Sequence, residues 1–90
     1  MRLDKYLKVS RIIKRRTVAN EACNGGRVSL NGKVAKPGTD VKADDIITIR
    51  FGEHIGKYLV LSVAETVRKD AASGLYRILE EDSETAQERE

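Results

Sequence analysis

The sequence predicts an α+β domain in which two N-terminal helices pack on a small, mostly antiparallel sheet. Three observations lead to this fold class: apolar residues at helical spacing near the start of the chain, an Asn-Gly turn between short alternating segments, and two later segments rich in β-branched residues. Ninety residues make one domain with a thin core. We expect this domain to cover residues 1–79, followed by a disordered acidic tail over residues 80–90.

The first helix is predicted over residues 2–9, with one apolar side and a mostly basic opposite side. Its apolar side holds Leu3, Tyr6 and Leu7. The second helix is predicted to begin at Lys14 or Thr17 and to end at Asn24. Gly25-Gly26 ends it, because glycine adopts the left-handed conformation of a C-terminal cap.

The strands follow in the second part of the chain. Asn31-Gly32 predicts a tight hairpin, because both residue types tolerate a positive φ. Two further strands are predicted over residues 46–51 and 57–63, with a loop over residues 52–56 between them. The last segment fits either a helix over residues 71–80, capped by Asp70, or a short strand over Leu75–Leu79.

Positive charge is concentrated at the start of the chain. Residues 1–36 hold ten lysines and arginines and two acids, which gives +8, whereas residues 37–90 hold seven and twelve, which gives −5. Such an uneven distribution is informative about partners and favours a polyanion. The chain has only four aromatic residues, too few for the stacking platforms of single-strand binders, so structured RNA is favoured. Electrostatics alone does not separate RNA from DNA.

Two segments carry a resemblance to a known family. They read RLDKYL at the start of the chain and GGRVSLNGKVAKPG after the second predicted helix. They resemble the ribosomal-protein-S-four type RNA-binding domain over roughly residues 1–50. The residues that fit its motifs are Arg2, Leu3, Asp4, Leu7, Arg16, Ala19, Gly26, Val28, Leu30, Asn31 and Gly32, and Arg15 replaces a usual serine. The resemblance implies the S-four-like, or alpha-L, RNA-binding fold.

In length and plan the chain is similar to small stand-alone members of this family. One kind acts in bacterial ribosome-associated quality control, and the other is a small ribosome-associated heat-shock protein. The first kind implies binding to the large ribosomal subunit, with large-subunit rRNA and peptidyl-tRNA as partners, while an alanine-tailing rescue factor extends the nascent chain. The second kind implies recycling of the large subunit. The N-terminus has no apolar stretch of signal-peptide type and the single cysteine fits a reducing compartment, so we expect a cytoplasmic protein. We expect no cofactor and a monomer.

Ten basic residues are predicted to contact RNA phosphates, because arginine's planar fork suits bidentate contact and lysine adds positive field. They are Arg2, Lys5, Lys8, Arg11, Lys14, Arg15, Arg16, Arg27, Lys33 and Lys36. Asp4 is expected to order this surface by pairing with Lys8 or with an arginine of the second helix. Contact between Asp4 and a nucleotide hydroxyl is the alternative. Asn31 and Gly32 are expected to form the turn, with direct RNA contact as a secondary role.

Other functional classes have weaker support in the residues. His54, placed in a predicted loop, and Cys23, on an apolar helix face, do not form a nucleophile–base set, so we predict no enzyme activity, catalytic residue or metal site. No apolar run has membrane-spanning length, so no membrane partner is expected. A protein-interaction module that uses the acidic tail is the remaining alternative.

Overall fold

The computed structural model describes residues 1–64 and 74–81 and confirms the α+β class. Five strands form one sheet in the order β2-β1-β3-β4-β5, with every neighbouring pair antiparallel. The elements are α1 (Leu3–Val9), α2 (Arg16–Asn24), β1 (Val28–Leu30), β2 (Lys33–Val34), β3 (Ile46–Phe51), β4 (His54–Val60) and β5 (Tyr76–Glu81).

The hairpin turn between β1 and β2 forms at the predicted Asn-Gly pair. Asn31 has φ 53° and Gly32 has φ 87°, the positive values that a tight two-residue hairpin turn requires. The Asn31 side chain also joins this turn to the start of β3, since its Nδ2 donates to Asp45 Oδ1 at 3.0 Å and its Oδ1 accepts from the Ile46 amide at 2.9 Å. The turn is therefore fixed by side-chain bonds as well as by its backbone conformation.

The core lies between the helix pair and one face of the sheet. Alternate residues of β3 and β4, such as Ile47 and Tyr58, are fully buried together with the apolar side of α1, as expected for a sheet that is covered on one face. The Tyr6 hydroxyl of α1 donates to the Leu75 carbonyl at 2.7 Å. This buried bond connects the first helix to the chain segment that enters β5.

Backbone hydrogen bonds hold the start of the chain against the segment that follows β2. The Leu3 amide donates to Thr39 O at 2.8 Å, and the Asp4 amide donates to Pro37 O at 3.1 Å. The Val41 amide donates to Met1 O at 2.8 Å. The first turn of α1 is thereby fixed beside residues 37–41, the segment after the hairpin.

The predicted loop over residues 52–56 is wrong. The chain turns at Gly52 and Glu53, and β4 already begins at His54 and ends at Val60, three residues before the predicted end. Gly52 accounts for the tight turn, since its φ is 62°. Gly56 lies in the strand, opposite Ile49 and Glu81, and a side chain at this position would collide with the buried ring of Tyr58.

The strand alternative for the last segment is confirmed. Its strand, β5, pairs with β4, with Glu80 opposite Lys57 and Tyr76 opposite Val60. The edge of β4 supplies the backbone partners that favour a strand over a helix. Because β5 extends to Glu81, the predicted tail does not begin at residue 80, and residues 82–90, like the predicted cap Asp70, lie outside the described residues.

Candidate nucleic-acid interface

The ten basic residues singled out in the sequence all lie at the surface. Nine of them are exposed and Lys5 is half-buried. Seven of them lie between Arg2, which precedes α1, and Arg16, which is the first residue of α2. Most of the predicted contact residues therefore lie on the solvent-facing sides of the helix pair, and the opposite sides of α1 and α2 pack against the core.

Asp4 lies buried beneath this basic surface and holds two of its arginines. Arg2 donates from Nε to Asp4 Oδ1 at 3.2 Å and from a terminal nitrogen to Oδ2 at 3.3 Å. The Nε of Arg16 lies 3.6 Å from the same Oδ2. The predicted pairing of Asp4 with an arginine of the second helix is confirmed, and Lys8 is not among its ion-pair partners in the described part of the chain.

The Asp4 carboxylate receives further hydrogen bonds from α1 and α2. The Lys5 amide donates to Oδ1 at 2.7 Å, and Asn20 Nδ2 donates to Oδ2 at 3.3 Å. Asn24 Nδ2 donates in turn to Asn20 Oδ1 at 2.9 Å. Burial alone would raise the pKa of Asp4, but the bond from Arg2, the bond from Asn20 and the charge of Arg16 hold this pKa below 3.8.

This arrangement determines the protonation state of Asp4 and how much of its carboxylate is exposed to solvent. Its carboxylate stays ionised at neutral pH, and its exposed fraction is 1%. By contrast, the side chains of Arg2 and Arg16 are 55% and 49% exposed. The arginines, rather than Asp4, therefore present hydrogen-bond donors to solvent, while contact between Asp4 and a nucleotide hydroxyl stays a prediction.

An open groove of about 540 Å³ lies between the start of α1 and the outer side of α2. It is lined by Arg2, Asp4, Arg16, Thr17, Asn20 and Glu21. Sequence reasoning did not single out the last three. Asn20 lies four residues after Arg16 on the same helix, so helical spacing is the signal that points to it. Its contact with Asp4 depends on how α1 crosses α2 and is not visible in the sequence.

The turn between the helices projects a cation away from the core. Arg11 adopts φ 63°, a left-handed conformation that is costly for a residue with a side chain. Ser10 stabilises the turn, because its hydroxyl donates to Leu7 O at 3.3 Å and accepts from the Ile12 amide at 3.5 Å. Ile12 and Ile13 are buried and anchor the turn, so Arg11 is held at its outer edge.

The hairpin brings one predicted contact residue toward the groove and leaves another away from it. Lys36 precedes Pro37, whose carbonyl accepts from the Asp4 amide at 3.1 Å. Lys36 therefore lies beside the first turn of α1. Arg27 lies beyond the C-terminal end of α2 at Asn24, which is about 12 Å along the helix from Arg16 at 1.5 Å per residue, and it does not line the groove.

The remaining chemically reactive side chains do not form a site with this surface. Cys23 is buried, and burial, with a smaller contribution from the charge of Asp4, raises the pKa of its thiol to about 11. His54 is half-buried in β4 and not in the predicted loop. Within residues 1–64 and 74–81, no group of three His, Cys, Asp or Glu side chains is placed to hold a metal ion.

Comparison with known proteins assigns the basic helix pair and the hairpin to a known domain family. The model of the S4 domain matches residues 1–47. The chain belongs to the S4 domain family. A Halalkalibacterium halodurans protein named RQC P-site tRNA stabilizing factor is 55% identical over 82 residues, which cover 91% of this chain and 93% of that protein. The helix pair, the groove and the hairpin all belong to the matched S4 domain.

Heat shock protein 15 is a second, more distant relative. The Escherichia coli protein is 33% identical over 90 residues, which cover 100% of this chain and 66% of that protein. The structure of Vibrio cholerae heat shock protein 15, solved as a trimer, matches with a TM-score of 0.79 at 31% identity and covers 99% of this chain and 88% of that one. These likenesses extend the S4-type fold beyond residue 47 to the other described residues. No helix among the described residues is long and apolar enough to span a bilayer.

Proposed function

We propose that this S4-domain protein binds structured RNA on the large ribosomal subunit and stabilises peptidyl-tRNA there during ribosome-associated quality control. The observation that carries the proposal is the pair of half-exposed arginines that Asp4 holds at the mouth of the groove. The relative named RQC P-site tRNA stabilizing factor, 55% identical over most of both chains, supports the choice of tRNA. In this role the protein acts by holding tRNA while a rescue factor adds alanine, and it performs no chemistry itself.

The geometry of the arginines suits phosphate groups of a folded polynucleotide. Arg2 uses Nε and one terminal nitrogen on Asp4, so its other terminal nitrogen still offers N–H donors to solvent. Lys8, Arg11 and Lys14 extend the positive field along the helix pair. Phosphates fit this pattern because they accept bidentate hydrogen bonds and are attracted by the field at longer range. The surface is complete within one chain, which supports a cytoplasmic monomer.

The second candidate is recycling of the large subunit in the manner of a heat-shock protein. The TM-score of 0.79 to Vibrio cholerae heat shock protein 15 favours it. Sequence identity favours the first candidate, since this chain is 55% identical to the tRNA-stabilizing relative but 33% identical to Escherichia coli heat shock protein 15. Crosslinking in cells separates them: recovery of tRNA together with large-subunit rRNA supports the quality-control role, whereas rRNA alone supports recycling.

Binding to purified large subunits at rising salt tests the proposal directly. Each phosphate contact contributes about −0.7 to −0.9 to the slope of log affinity against log salt. Several contacts therefore predict a steep slope. Stabilisation of peptidyl-tRNA predicts that the protein binds subunits that carry it more tightly than empty subunits. A slope near zero would contradict phosphate binding. Equal affinity for both kinds of subunit would contradict tRNA stabilisation and leave rRNA binding intact.

A further inference from the structure

Glu21 occupies an unusual position for an acidic residue. It is exposed on α2 and lines the same groove as Arg2 and Arg16. Together with Asp4 it accounts for both acids in residues 1–36, so both acids of the basic half line one groove. In the described part of the chain, no side chain donates a hydrogen bond to the Glu21 carboxylate or forms an ion pair with it.

Phosphate binding alone does not account for this carboxylate. A negative charge beside two arginines weakens their attraction for phosphate. Asp4 does not raise the same question, because its carboxylate is buried and saturated by Arg2, Asn20 and the Lys5 amide. Glu21 keeps all its acceptor positions open to the groove and is suited to a ligand that offers a hydrogen-bond donor.

The rest of the lining narrows the chemistry of that ligand. The Asn20 amide is engaged on both sides, since its nitrogen donates to Asp4 and its oxygen accepts from Asn24. Besides the Thr17 hydroxyl, the groove lining therefore offers the guanidinium donors of Arg2 and Arg16 and the Glu21 carboxylate as acceptor. Its volume of about 540 Å³ is within the range of roughly 300–1,000 Å³ for sites that take small ligands. One nucleotide unit has the matching groups, an anionic phosphate and a hydroxyl donor close to it.

We propose that Glu21 accepts a hydrogen bond from a ribose 2′-hydroxyl while Arg2 and Arg16 hold a neighbouring phosphate. This inference rests on the proposed binding of structured RNA and adds selectivity against DNA at the same groove. The 2′-hydroxyl is the group that distinguishes the two polymers, and A-form helices display it along an open minor groove next to the phosphates. Glu21 is a positioning and specificity residue for RNA and has no part in fixing the fold.

The test compares two ligands that differ only in the donor. A tRNA transcript is compared with the same sequence made with 2′-fluoro nucleotides, which favour the same A-form sugar pucker and lack the hydroxyl proton. The wild-type chain is expected to bind the hydroxyl form about tenfold more tightly, as for one hydrogen bond to a charged acceptor. Glu21→Ala is expected to reduce this ratio to below about twofold. Glu53→Ala removes the same charge from the turn before β4 and is expected to keep the wild-type ratio.

The outcomes distinguish this inference from the proposed function. An unchanged ratio in Glu21→Ala, with both forms bound more tightly, would overturn the inference and make Glu21 a residue that only limits non-specific binding. The RNA-binding proposal would survive that result. Failure of the wild-type chain to bind the unmodified tRNA would overturn the proposed tRNA contact and this inference with it.

Discussion

The helix pair and the outer strands of the sheet carry their charges in opposite ways. On the helix pair, Asp4 is buried and aligns Arg2 and Arg16, and half of each arginine stays open to solvent. In the pairing of β4 with β5, Lys57 lies opposite Glu80 in the register, without an ion pair between them in the described part of the chain, so the acid offsets the positive field of Lys57 without holding its side chain. A buried carboxylate orients the arginine side chains and leaves them accessible to solvent. An exposed carboxylate near a lysine instead reduces the positive field at the surface. Of these two regions, we therefore expect only the first to bind a polyanion.

The two regions also differ in what stabilises them. The sheet has fully buried side chains such as Ile47, Ile49 and Tyr58. α1 has seven residues, and a helix of that length is not stable alone in water. It depends on the Tyr6–Leu75 hydrogen bond and on the backbone bonds that join it to residues 37–41. Changes in the sheet should therefore act on stability, and changes on the helix surface should act on binding.

The largest expected effect is on binding, from Arg2→Ala combined with Arg16→Ala. Two charge-assisted contacts at about 1.4 kcal/mol each correspond to about a hundredfold loss of affinity for large subunits. The slope against log salt should become shallower by about 1.4 to 1.8. The fold should persist, because Asp4 keeps its bonds from Asn20 and the Lys5 amide, and circular dichroism checks this.

The matched control for this pair is Arg50→Ala combined with Lys57→Ala. Both residues are exposed on the outer face of the sheet, and their removal changes the net charge by the same amount. We expect a loss of less than about threefold, because long-range attraction is screened at physiological salt. Equal losses for the two pairs would show that net charge, and not the arrangement around Asp4, determines affinity.

Gly56→Ala should act on the sheet alone. A Cβ at this position would lie 2.5 Å from Tyr58 Oη and 3.0 Å from its ring. That ring is fully buried and packs edge-on against Tyr76, with centroids 5.6 Å apart, so it cannot move away without cost. Overpacking of this kind costs about 2 kcal/mol, measured as a lower free energy of unfolding in urea.

Gly38→Ala is the control for this substitution, since no atom lies within 4 Å of the position that its new methyl group would take. It should leave the free energy of unfolding within about 0.5 kcal/mol of wild type. Below its melting temperature, Gly56→Ala should bind subunits as tightly as wild type. A large loss of affinity in the folded variant would show that the two regions are coupled.

Asp4→Asn should lower stability in a way that depends on pH. The pKa of Asp4 is below 3.8 in the folded chain, so its ionised form stabilises the fold above about pH 4, and this contribution is lost as the pH falls through the folded pKa. Loss of the charged hydrogen bonds should cost about 1.5 kcal/mol at neutral pH. Urea unfolding at pH 7 and near pH 3 should show the difference from wild type shrinking in acid. A difference independent of pH would rule out a role of the charge.

The smallest expected effect comes from Tyr6→Phe. The change removes the 2.7 Å bond from the Tyr6 hydroxyl to Leu75 O and keeps the ring in the core. The Leu75 carbonyl still accepts from the Leu61 amide at 2.9 Å, so the cost should be about 1 kcal/mol. Because burial raises the pKa of Tyr6, Tyr6 in the folded wild type should also ionise at higher pH than a free tyrosine. An unchanged free energy of unfolding would mean that this bond does not stabilise the contact between α1 and the segment before β5.

Local sequence signals predicted the elements whose determinants lie close together in the chain. The spacing of Leu3, Tyr6 and Leu7 predicted α1, and Asn31-Gly32 predicted the hairpin. The prediction was wrong where a glycine has a long-range reason. Gly56 resembles a loop residue in the sequence, yet it is needed inside β4 because of Tyr58.

The candidate site follows the same division. Its cations, and a pairing of Asp4 with an arginine of α2, were predictable from the charges, whereas helical spacing pointed to Lys8 and the bond from Arg2 was not predicted. The groove itself was not, because Thr17, Asn20 and Glu21 meet Arg2 only through the crossing of α1 and α2. The strand at Tyr76–Glu81 depends in the same way on the edge of β4. Contacts between elements distant in the chain leave no periodic pattern in the residues.

The alignment of Arg2 by a buried carboxylate has a consequence for kinetics. A free arginine side chain carries about 2 kcal/mol of rotamer entropy, and in this protein much of that freedom is already lost on folding. Capture of a ligand therefore needs no slow rearrangement of the guanidinium. The encounter rate should approach the limit set by diffusion and long-range attraction, so added salt should change how often complexes form more than how long each one lasts.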